Sequence, residues 1–293
     1  MTVIINCFNG EKYLREAINS VLAQTYENWE IIFWDNQSTD STREIVQGYE
    51  DERIHYYYAP EHTNLGEARN QAMKKANGDY IAFLDSDDWW APDFLSEGVS
   101  VIQQEHCAVY YTNYFEVIGQ EKKVYNKNTI SGVQNLKEVL DNYKIGMSAN
   151  IIDNSIIHNN NLQFDPDFQL IEDYDFFIKL GLCGDYYYNS NPTSFYRNHS
   201  DSTSYIYRDG WYKEVHRLYT TLKEKYKNNG EETLFLKPIR SNMEHYHAAE
   251  LVHNNDRKGL LLLLLKNLDM PDLWGNFMYV LFGRDLYNKI RKR

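Results

Sequence analysis

The sequence predicts an α/β protein in which helices flank a mainly parallel sheet and a helical appendage follows at the C-terminus. Short apolar runs alternate with helical patterns through residues 1–90, and the pattern is purely helical from about residue 212. Strands and helices that alternate at this spacing require right-handed crossovers between parallel strands. We therefore expect an α/β domain over residues 1–205, with halves 1–90 and 91–205, and a helical region over residues 206–293.

The composition is that of a folded protein and excludes several functional classes. The 293 residues are 43% hydrophobic and 25% charged, and the net charge of −12 argues against nucleic-acid binding. Three widely spaced cysteines lack zinc-site spacing and favour a reducing compartment. No apolar stretch reaches the roughly 18 residues of a transmembrane helix. Residues 2–5 begin a strand rather than a signal peptide, and so we expect a cytoplasmic protein.

Four strands and three helices are expected in the first ninety residues. Runs rich in β-branched and aromatic residues predict strands at 2–7, 29–34, 53–58 and 80–84, and the spacing of apolar residues predicts helices at 11–23, 43–49 and 67–76. Asn9-Gly10 interrupts the first strand, and Asn77-Gly78 ends the third helix. The strands are continuous apolar runs, which is typical of strands that are buried on both faces.

The pattern is less regular in the rest of the chain. We expect a helix at 92–104, a strand at 108–115, a hairpin at 116–125 and a helix at 171–182. The six-leucine run at 260–265 is too short to cross a membrane and is expected to form a buried helix. A last amphipathic helix at 273–290 leads into Arg291-Lys292-Arg293. Its basic and aromatic residues suit peripheral contact with the inner face of the cell membrane, packing on the catalytic domain, or a homodimer.

Three of the predicted strands end in polar residues, at positions 6–9, 35–36 and 85–88. The carboxyl ends of parallel strands lie at one edge of a sheet, and ligands bind there in open α/β sheets. We therefore expect these three segments to line one crevice.

The acidic segment Asp85-Ser86-Asp87 follows the fourth strand. Neighbouring carboxylates repel each other and resist burial unless a cation neutralises them. Their hard oxygens select Mg²⁺ or Mn²⁺, which proteins commonly share with substrate phosphates. The alternative is a solvated turn that caps a helix starting near Asp88.

Two residues at the other strand ends could contact a nucleobase. Asp35 ends a buried strand, and its carboxylate could accept an N–H of uracil or guanine. The alternative for Asp35 is an Asx-type turn with Gln37 or Ser38. Phe8 could cover a base with its ring or, alternatively, pack in the core.

Arg69 occupies the first turns of a helix, where the helix dipole favours acids. It could reach a phosphate or a base, or form a surface ion pair with Glu67 or Asp35.

Acidic residues and a histidine in the second half complete the candidate set. The dipole of a helix accounts for Glu172, Asp173 and Asp175 at its start, although crowded carboxylates also raise one pKa, as a general base requires. His199 could ligate a metal or touch a diphosphate, or it could be structural.

Together these motifs resemble the family 2 glycosyltransferases, which have a Rossmann-like α/β architecture called the GT-A fold. The resemblance is carried by TVIINCFNGEKYLREAINSVLAQTYENWEIIFWDNQSTDST, NLGEARNQAMKKANGDYIAFLDSDD and IEDYDFFIKL. It is strong over residues 1–90 and patchier over 91–205. The chain departs from the family pattern at Asn6, Cys7 and Asn36-Gln37, where Pro, Thr and Asp-Gly are common.

The resemblance implies a role for each motif residue. The nucleotide base would be held by Asn6, Phe8, Asn9 and Asp35, and Arg69 would lie near the nucleotide. Asp85 and Ser86 would hold the ribose or donor sugar, and Asp87 and His199 would bind Mn²⁺ or Mg²⁺. Asp173 would be the catalytic base. Residues 1–90 would form the nucleotide-binding half and 91–205 the acceptor half.

The resemblance further implies an inverting transfer from a nucleotide-diphosphate sugar, with UDP-sugars favoured, to a hydroxyl of a glycan or lipid-linked acceptor in cell-surface polysaccharide synthesis. Two alternatives belong to other classes. A sugar nucleotidyltransferase would resemble a pattern with a Gly-rich, Arg-containing loop after the first strand, which NCFNGEKYL lacks. A non-catalytic nucleotide-sugar-binding module would not need Asp85, Asp87 and Asp173 together.

Overall fold

The structure is a computed structural model that describes residues 1–127, 129–199, 210–227, 232–270 and 273. The chain divides into two compact units, Met1–Tyr205 and Ile206–Arg293. The first is an α/β unit, and the described part of the second is helical. The predicted fold class is confirmed, since helices flank a central sheet and C-terminal helices are present.

Ten strands among the described residues form one sheet. They are β1 (Thr2–Cys7), β2 (Glu30–Asp35), β3 (Ile54–Tyr58), β4 (Tyr80–Phe83), β5 (Trp89–Trp90), β6 (Val109–Ile118), β7 (Glu121–Val124), β8 (Gly132–Gln134), β9 (Asn150–Asp153) and β10 (Tyr186–Arg197). Their order is β3-β2-β1-β4-β9-β6-β10-β5, with β7 beside β6 and β8 beside β10. The sheet is parallel from β3 to β4 and mixed beyond, where only β6 and β10 pair in parallel.

Helices pack on both faces of this sheet. They are α1 (Leu14–Leu22), α2 (Thr42–Gln47), α3 (Leu65–Met73), α4 (Phe94–Glu105), α5 (Leu136–Asp141), α6 (Asn154–Asn160) and α7 (Glu172–Gly181), with a 3₁₀ turn at Met147–Ala149. Alternate residues of β1 and β4, such as Val3 and Ala82, share one core with α1, α2 and α4. On the opposite face, Phe83 contacts Phe164, which stacks on Phe176 of α7.

The first ninety residues follow the sequence pattern closely, with shifts at element ends. Side chains on both faces of β1 are buried, which explains its unbroken apolar run. α3 begins at Asn64, whose side chain accepts the Glu67 N–H at 2.9 Å. The acidic segment is not followed directly by a helix. Instead, Trp89 and Trp90 form β5, which pairs antiparallel with β10, and α4 begins only at Phe94.

Strands β8, β9 and β10 were not predicted from the sequence pattern. β10 contains Pro192 and several polar residues, and its register against β6 shifts between Asn189 and Ser194. A proline and a register shift interrupt alternation, so the pattern of this strand resembles that of a loop. Its backbone hydrogen bonds come from neighbours that are distant in the sequence.

The second unit contains α8 (Trp211–Tyr226), α9 (Glu232–His253) and α10 (Arg257–Lys266). The leucine run lies in α10 and is buried on one side only: Leu260 and Leu264 are buried, whereas Leu262 and Leu265 are about half exposed. Among the described residues, no helix has both the length and the apolarity needed to cross a membrane. The helix predicted at 273–290 and its basic end lie outside the described residues, apart from Leu273.

Candidate active site

The end of β1 lies between the loops that follow β2 and β4, because β1 pairs in parallel with both strands. A Cβ atom at Gly10 would overlap the sulfur of Cys7 and lie 3.1 Å from Ser86 Oγ. The Ser86 hydroxyl hydrogen-bonds to the Cys7 thiol. The three polar segments predicted to share a crevice therefore meet at one edge of the sheet.

Asn9 joins the loops after β1 and β2. It adopts a left-handed conformation, with φ of 56°. Its N–H donates to Ser38 Oγ at 2.9 Å, and its Oδ1 accepts the Thr39 N–H at 2.8 Å. The side-chain oxygen of Asn9 is thus already used to build the rim of the crevice.

Asp35 is fully buried beneath this rim. Its Oδ1 accepts the Ser38 N–H at 2.7 Å, and its Oδ2 accepts the Tyr56 hydroxyl at 2.6 Å. The bond from Ser38 is that of the Asx-type turn, and burial together with this carboxylate raises the pKa of Tyr56. Because Asp35 is fully buried, a direct contact with a base would require the residues that cover it to move.

Phe8 lies on the surface of the rim, and its side chain is 52% exposed. Its ring centroid is 4.4 Å from that of His62, whose Nδ1 lies 2.7 Å from the carbonyl oxygen of Asn36. Since an aromatic ring gains by covering apolar surface, this exposed pair offers a stacking surface. The alternative interpretation of Phe8 as a core residue is wrong.

Asn6 lies beside Trp34 in the register of β1 and β2. Among the described residues, no acceptor lies within hydrogen-bonding distance of the buried Asn6 Nδ2 or Trp34 Nε1. Buried donors normally have partners, which include ordered water. Asn6 therefore belongs to the site by position, and within the described part of the chain its amide donor has no hydrogen-bond partner.

Ser148, in the 3₁₀ turn, hydrogen-bonds to the acidic loop, residues 85–88, and to Trp90 of β5. Its Oγ accepts the Asp85 N–H at 3.0 Å, and its carbonyl accepts the Trp90 Nε1–H at 2.6 Å. Asp88 is buried beside it, and burial together with the charges of Asp87 and Asp85 raises the pKa of Asp88 well above its usual range. Nothing in the sequence around Ser148 indicated this role.

Arg69 is buried at the centre of the site, with a side chain only 4% exposed. Its guanidinium contacts Glu172 Oε1 at 2.9 Å and Asp85 Oδ1 at 3.2 Å. It therefore connects α3, the acidic loop and α7, and does not make the surface pair with Glu67 or Asp35 that the sequence left open. Glu172, to which no role was assigned from the sequence, is the closer of its two partners.

Asp173, the second residue of α7, lies beside this ion pair and is partly exposed. Its Oδ1 accepts the Tyr174 N–H at 2.7 Å. Burial raises the pKa of Asp173, and the charge of Asp85 acts in the same direction, whereas Arg69 opposes both. A partly exposed carboxylate with a raised pKa has the properties of a general base.

Asp87 and His199 form a second pair at the mouth of the site. His199 Nε2 lies 2.8 Å from Asp87 Oδ2, and their side chains are 19% and 30% exposed. Two ligands on one Mg²⁺ or Mn²⁺ ion, with bonds of about 2.1 Å at right angles, would lie about 3 Å apart. The pair therefore fits two neighbouring positions around such an ion.

Within the described ranges, no group of three or more His, Cys, Asp or Glu residues is placed to hold a metal ion. Mg²⁺ commonly binds through one or two protein carboxylates together with water and substrate phosphates. Asp87 and His199 are two side chains whose spacing would suit neighbouring positions on such a shared ion.

The stability of the protein is expected to fall as the pH rises from about 4.5 to about 7. Burial, aided by the charge of Asp173 and opposed by Arg69, raises the pKa of Glu172 from 4.5 to about 7. In that window the folded protein binds more protons than the unfolded chain, so a rise in pH lowers the free energy of unfolding, by up to about 3 kcal/mol. Urea unfolding of the ligand-free protein at several pH values measures this slope.

The Glu172→Gln variant should show a smaller pH slope, because it removes the titrating group. The matched control is Glu105→Gln, which changes an exposed glutamate at the end of α4. If both variants kept the wild-type slope between pH 4.5 and 7, Glu172 would not be the source of the effect.

Comparison with known proteins identifies the family. A model of glycosyl transferase family 2 matches residues 2–163. A Bacillus subtilis glycosyltransferase assigned to teichuronic acid biosynthesis, TuaG, is 42% identical over 116 residues, which are 39% of this chain and 46% of that protein. The Escherichia coli protein WfgD, a UDP-Glc:α-D-GlcNAc-diphosphoundecaprenol β-1,3-glucosyltransferase, is 30% identical over 191 residues, which are 63% of this chain and 70% of WfgD. The chain thus spans about half the length of TuaG.

Solved structures of other glycosyltransferases have the same fold. S. aureus TarS 1–349 in complex with UDP-GlcNAc has a TM-score of 0.69 at 19% identity, over 95% of this chain and 80% of that one. The mannosyltransferase PcManGT from Pyrobaculum calidifontis, in complex with GDP-Man and Mn²⁺, has a TM-score of 0.59 at 14% identity, over 99% and 82%. At these identities the likeness shows the fold alone. The family match covers more than half of the chain, and the chain therefore belongs to glycosyl transferase family 2.

Proposed function

We propose that this protein is a metal-dependent, inverting glycosyltransferase of bacterial cell-surface polysaccharide synthesis. It would move a sugar from a nucleotide-diphosphate sugar, with a UDP-sugar as the first candidate, to a hydroxyl of a glycan or lipid-linked acceptor. One observation carries the proposal: the Asp87–His199 pair, the buried Arg69 cluster and Asp173 meet at one edge of the sheet. The names of TuaG and WfgD and the UDP-GlcNAc complex of TarS support the substrate class.

The proposed mechanism assigns the chemistry to few side chains. Asp173 takes the proton of the acceptor hydroxyl as that oxygen attacks the anomeric carbon. Asp87 and His199 would hold Mn²⁺ or Mg²⁺, and that ion would supply positive charge to the nucleoside diphosphate that leaves as its bond to the anomeric carbon breaks. Arg69, buried between Asp85 and Glu172, would orient both carboxylates close to the nucleotide.

The donor would be held along the rim. Asp85 has a side chain 37% exposed, and with Ser86 it lies where a ribose or donor sugar would bind. Phe8 would stack on the base, and Asn6 and Asn9 would line the same edge. Asp35 would shape this pocket through its turn. Residues 1–90 would thus form the nucleotide-binding half of the 1–205 domain.

The acceptor would bind to residues 91–205 of that domain. The protein would work on the cytoplasmic side of the cell membrane. Peripheral contact through the basic C-terminal helix and a homodimer both remain predictions, because that helix lies outside the described residues.

A panel of UDP-, GDP- and dTDP-sugars, each with and without Mn²⁺, tests the proposal by thermal shift. A donor present at 100 times its Kd should stabilise the folded protein by about 2.7 kcal/mol, and the effect should require the ion. Turnover should release a nucleoside diphosphate. Release of pyrophosphate would instead indicate a sugar nucleotidyltransferase, and donor binding without transfer or donor hydrolysis would indicate a binding module.

The Phe8→Ala variant should bind UDP about tenfold more weakly, because stacking of a base on an aromatic ring contributes about 1–3 kcal/mol. The Tm should hardly change, since the ring is half exposed. Phe8→Tyr keeps the ring and serves as the control. Calorimetric titration with UDP measures both variants, and equal affinities for Ala and Tyr at this position would exclude base stacking on Phe8.

A further inference from the structure

Arg197, the last residue of β10, joins three segments that are far apart in the sequence. Its Nε donates to the carbonyl oxygen of Asp87 at 2.9 Å. Its backbone N–H donates to Asp88 Oδ1 at 2.8 Å, and its guanidinium also pairs with Glu16 of α1. The acidic loop, α1 and the end of β10 therefore meet at one side chain.

The guanidinium is also held between two aromatic rings. Its central carbon lies 4.2 Å from the centroid of the Tyr13 ring and 4.5 Å from that of Trp89. Trp89 in turn stacks on Phe195 at 5.0 Å, with only 2° between the ring planes. Cation–π contacts contribute about 0.5–2 kcal/mol each, and more when water is excluded. The side chain of Arg197 is only 16% exposed, so its plane is closely confined.

These contacts fix the two segments that carry Asp87 and His199. Arg197 binds the main chain of Asp87, and His199 follows two residues later and reaches the carboxylate of the same residue. The Tyr13 ring on the guanidinium also lies 5.3 Å from the ring of His199. The Arg197 side chain thus adds a contact to Asp87 itself, beside the strand end that carries His199.

A purely structural role can be separated from this one. The pairing of β5 with β10 already joins the two segments through Trp89–Phe195 and Trp90–Ser194. The backbone bond to Asp88 also survives any change of the Arg197 side chain. Replacement of that side chain therefore keeps the strands together and removes the contacts of the guanidinium with Asp87, Glu16, Tyr13 and Trp89.

We propose that Arg197 is a positioning residue that holds Asp87 and His199 in the geometry required for a divalent ion shared with the donor diphosphate. The proposal rests on the proposed function and adds a residue that acts through the side chains it positions. Groups that orient metal ligands typically change metal affinity by about 10- to 100-fold when they are removed.

The test measures Mn²⁺ binding by water-proton relaxation, with and without UDP, for the full chain. Arg197→Ala should weaken Mn²⁺ binding in the presence of UDP by about 10-fold or more, with little change in UDP binding in EDTA. The Mn²⁺ affinity of Arg197→Lys should lie between those of Arg197→Ala and the wild type, because lysine keeps a hydrogen-bond donor but lacks the planar guanidinium group. Glu16→Gln removes the ion pair of the half-exposed Glu16 with Arg197 and should weaken Mn²⁺ binding slightly. This variant replaces Arg197→Ala in the test if Arg197→Ala does not fold.

The matched control is Arg53→Ala. Arg53 also stacks on a tryptophan, 3.6 Å from the Trp29 ring, and pairs with Asp51, but it lies at the start of β3 rather than beside the acidic loop. It should bind Mn²⁺ as the wild type does. Wild-type Mn²⁺ affinity in both Arg197 variants, or equal loss of UDP binding with and without the ion, would overturn the proposal.

The outcomes for the wild type keep the two proposals apart. A wild-type protein that binds UDP with no contribution from Mn²⁺ overturns the role of Arg197 and leaves sugar transfer standing. A wild-type protein that binds no sugar nucleotide overturns the proposed function. In that case, water-proton relaxation with Mn²⁺ and no UDP still tests the role of Arg197. Weaker Mn²⁺ binding by Arg197→Ala than by the wild type would support it, and equal binding would overturn it.

Discussion

The Asp173→Asn variant is expected to lose sugar transfer by about 10²- to 10⁴-fold, the contribution typical of a general base. An amide has the shape of the carboxylate but cannot take a proton from the acceptor hydroxyl. Its oxygen can still accept the Tyr174 N–H, so the start of α7 should be preserved. Binding of the UDP-sugar and Mn²⁺ should stay close to that of the wild type, because Asp87 and His199 are unchanged.

The matched control for this variant is Asp141→Asn, which changes a half-exposed carboxylate that pairs with Lys137 on α5. It should retain wild-type turnover. Release of nucleoside diphosphate and calorimetric titration of the donor together separate chemistry from binding. Full turnover by Asp173→Asn would remove Asp173 from the catalytic role, and equal losses of binding and turnover would mean that it holds the donor.

The Arg69→Met variant is expected to lower the free energy of unfolding by about 3–5 kcal/mol, because it leaves the buried Glu172 and the partly exposed Asp85 without their cation. For a unit of this size the Tm should fall by roughly 10 °C. Methionine keeps most of the apolar stem, so the loss comes from Glu172 and Asp85 rather than from a cavity. Thermal and urea unfolding measure the effect.

Two further variants separate charge from packing. Arg53→Met removes an arginine with a side chain 38% exposed, whose ion pair with Asp51 should contribute under about 1 kcal/mol. The double variant Arg69→Met, Glu172→Gln should recover much of the lost stability, because a neutral side chain then faces the methionine. If Arg69→Met cost no more than Arg53→Met, the buried cluster would not stabilise the fold.

The sequence allowed the first half of the molecule to be predicted because its signals are local. Apolar runs, turn residues and helix caps identify four strands and their crossovers, and parallel pairing places the strand ends at one edge. The acidic motif and the family resemblance follow from residues that are close together in the chain. The exposure of Phe8 also agrees with its position at a strand end.

The partners of these residues could not be predicted, because they depend on register and packing between distant segments. Arg69 and Glu172 are 103 positions apart, and His199 and Asp87 are 112 apart. Local propensity carries no information about which side chains meet across such separations. Tyr56 could have been suspected, because the buried Asp35 needs a partner and β3 is its neighbour, but Ser148 lies in a turn without any pattern.

The amino-acid sequence by itself determined the α/β class, the polar edge of the sheet and the set of acidic candidates, since each depends on periodicity or on short motifs. Only the tertiary structure decided that Asp35 is enclosed, that Arg69 is buried between two carboxylates, and that Arg197 bridges three segments. The reason is physical: burial and electrostatic pairing are properties of neighbours in space, and the order of residues in the chain specifies them only through the folded sheet.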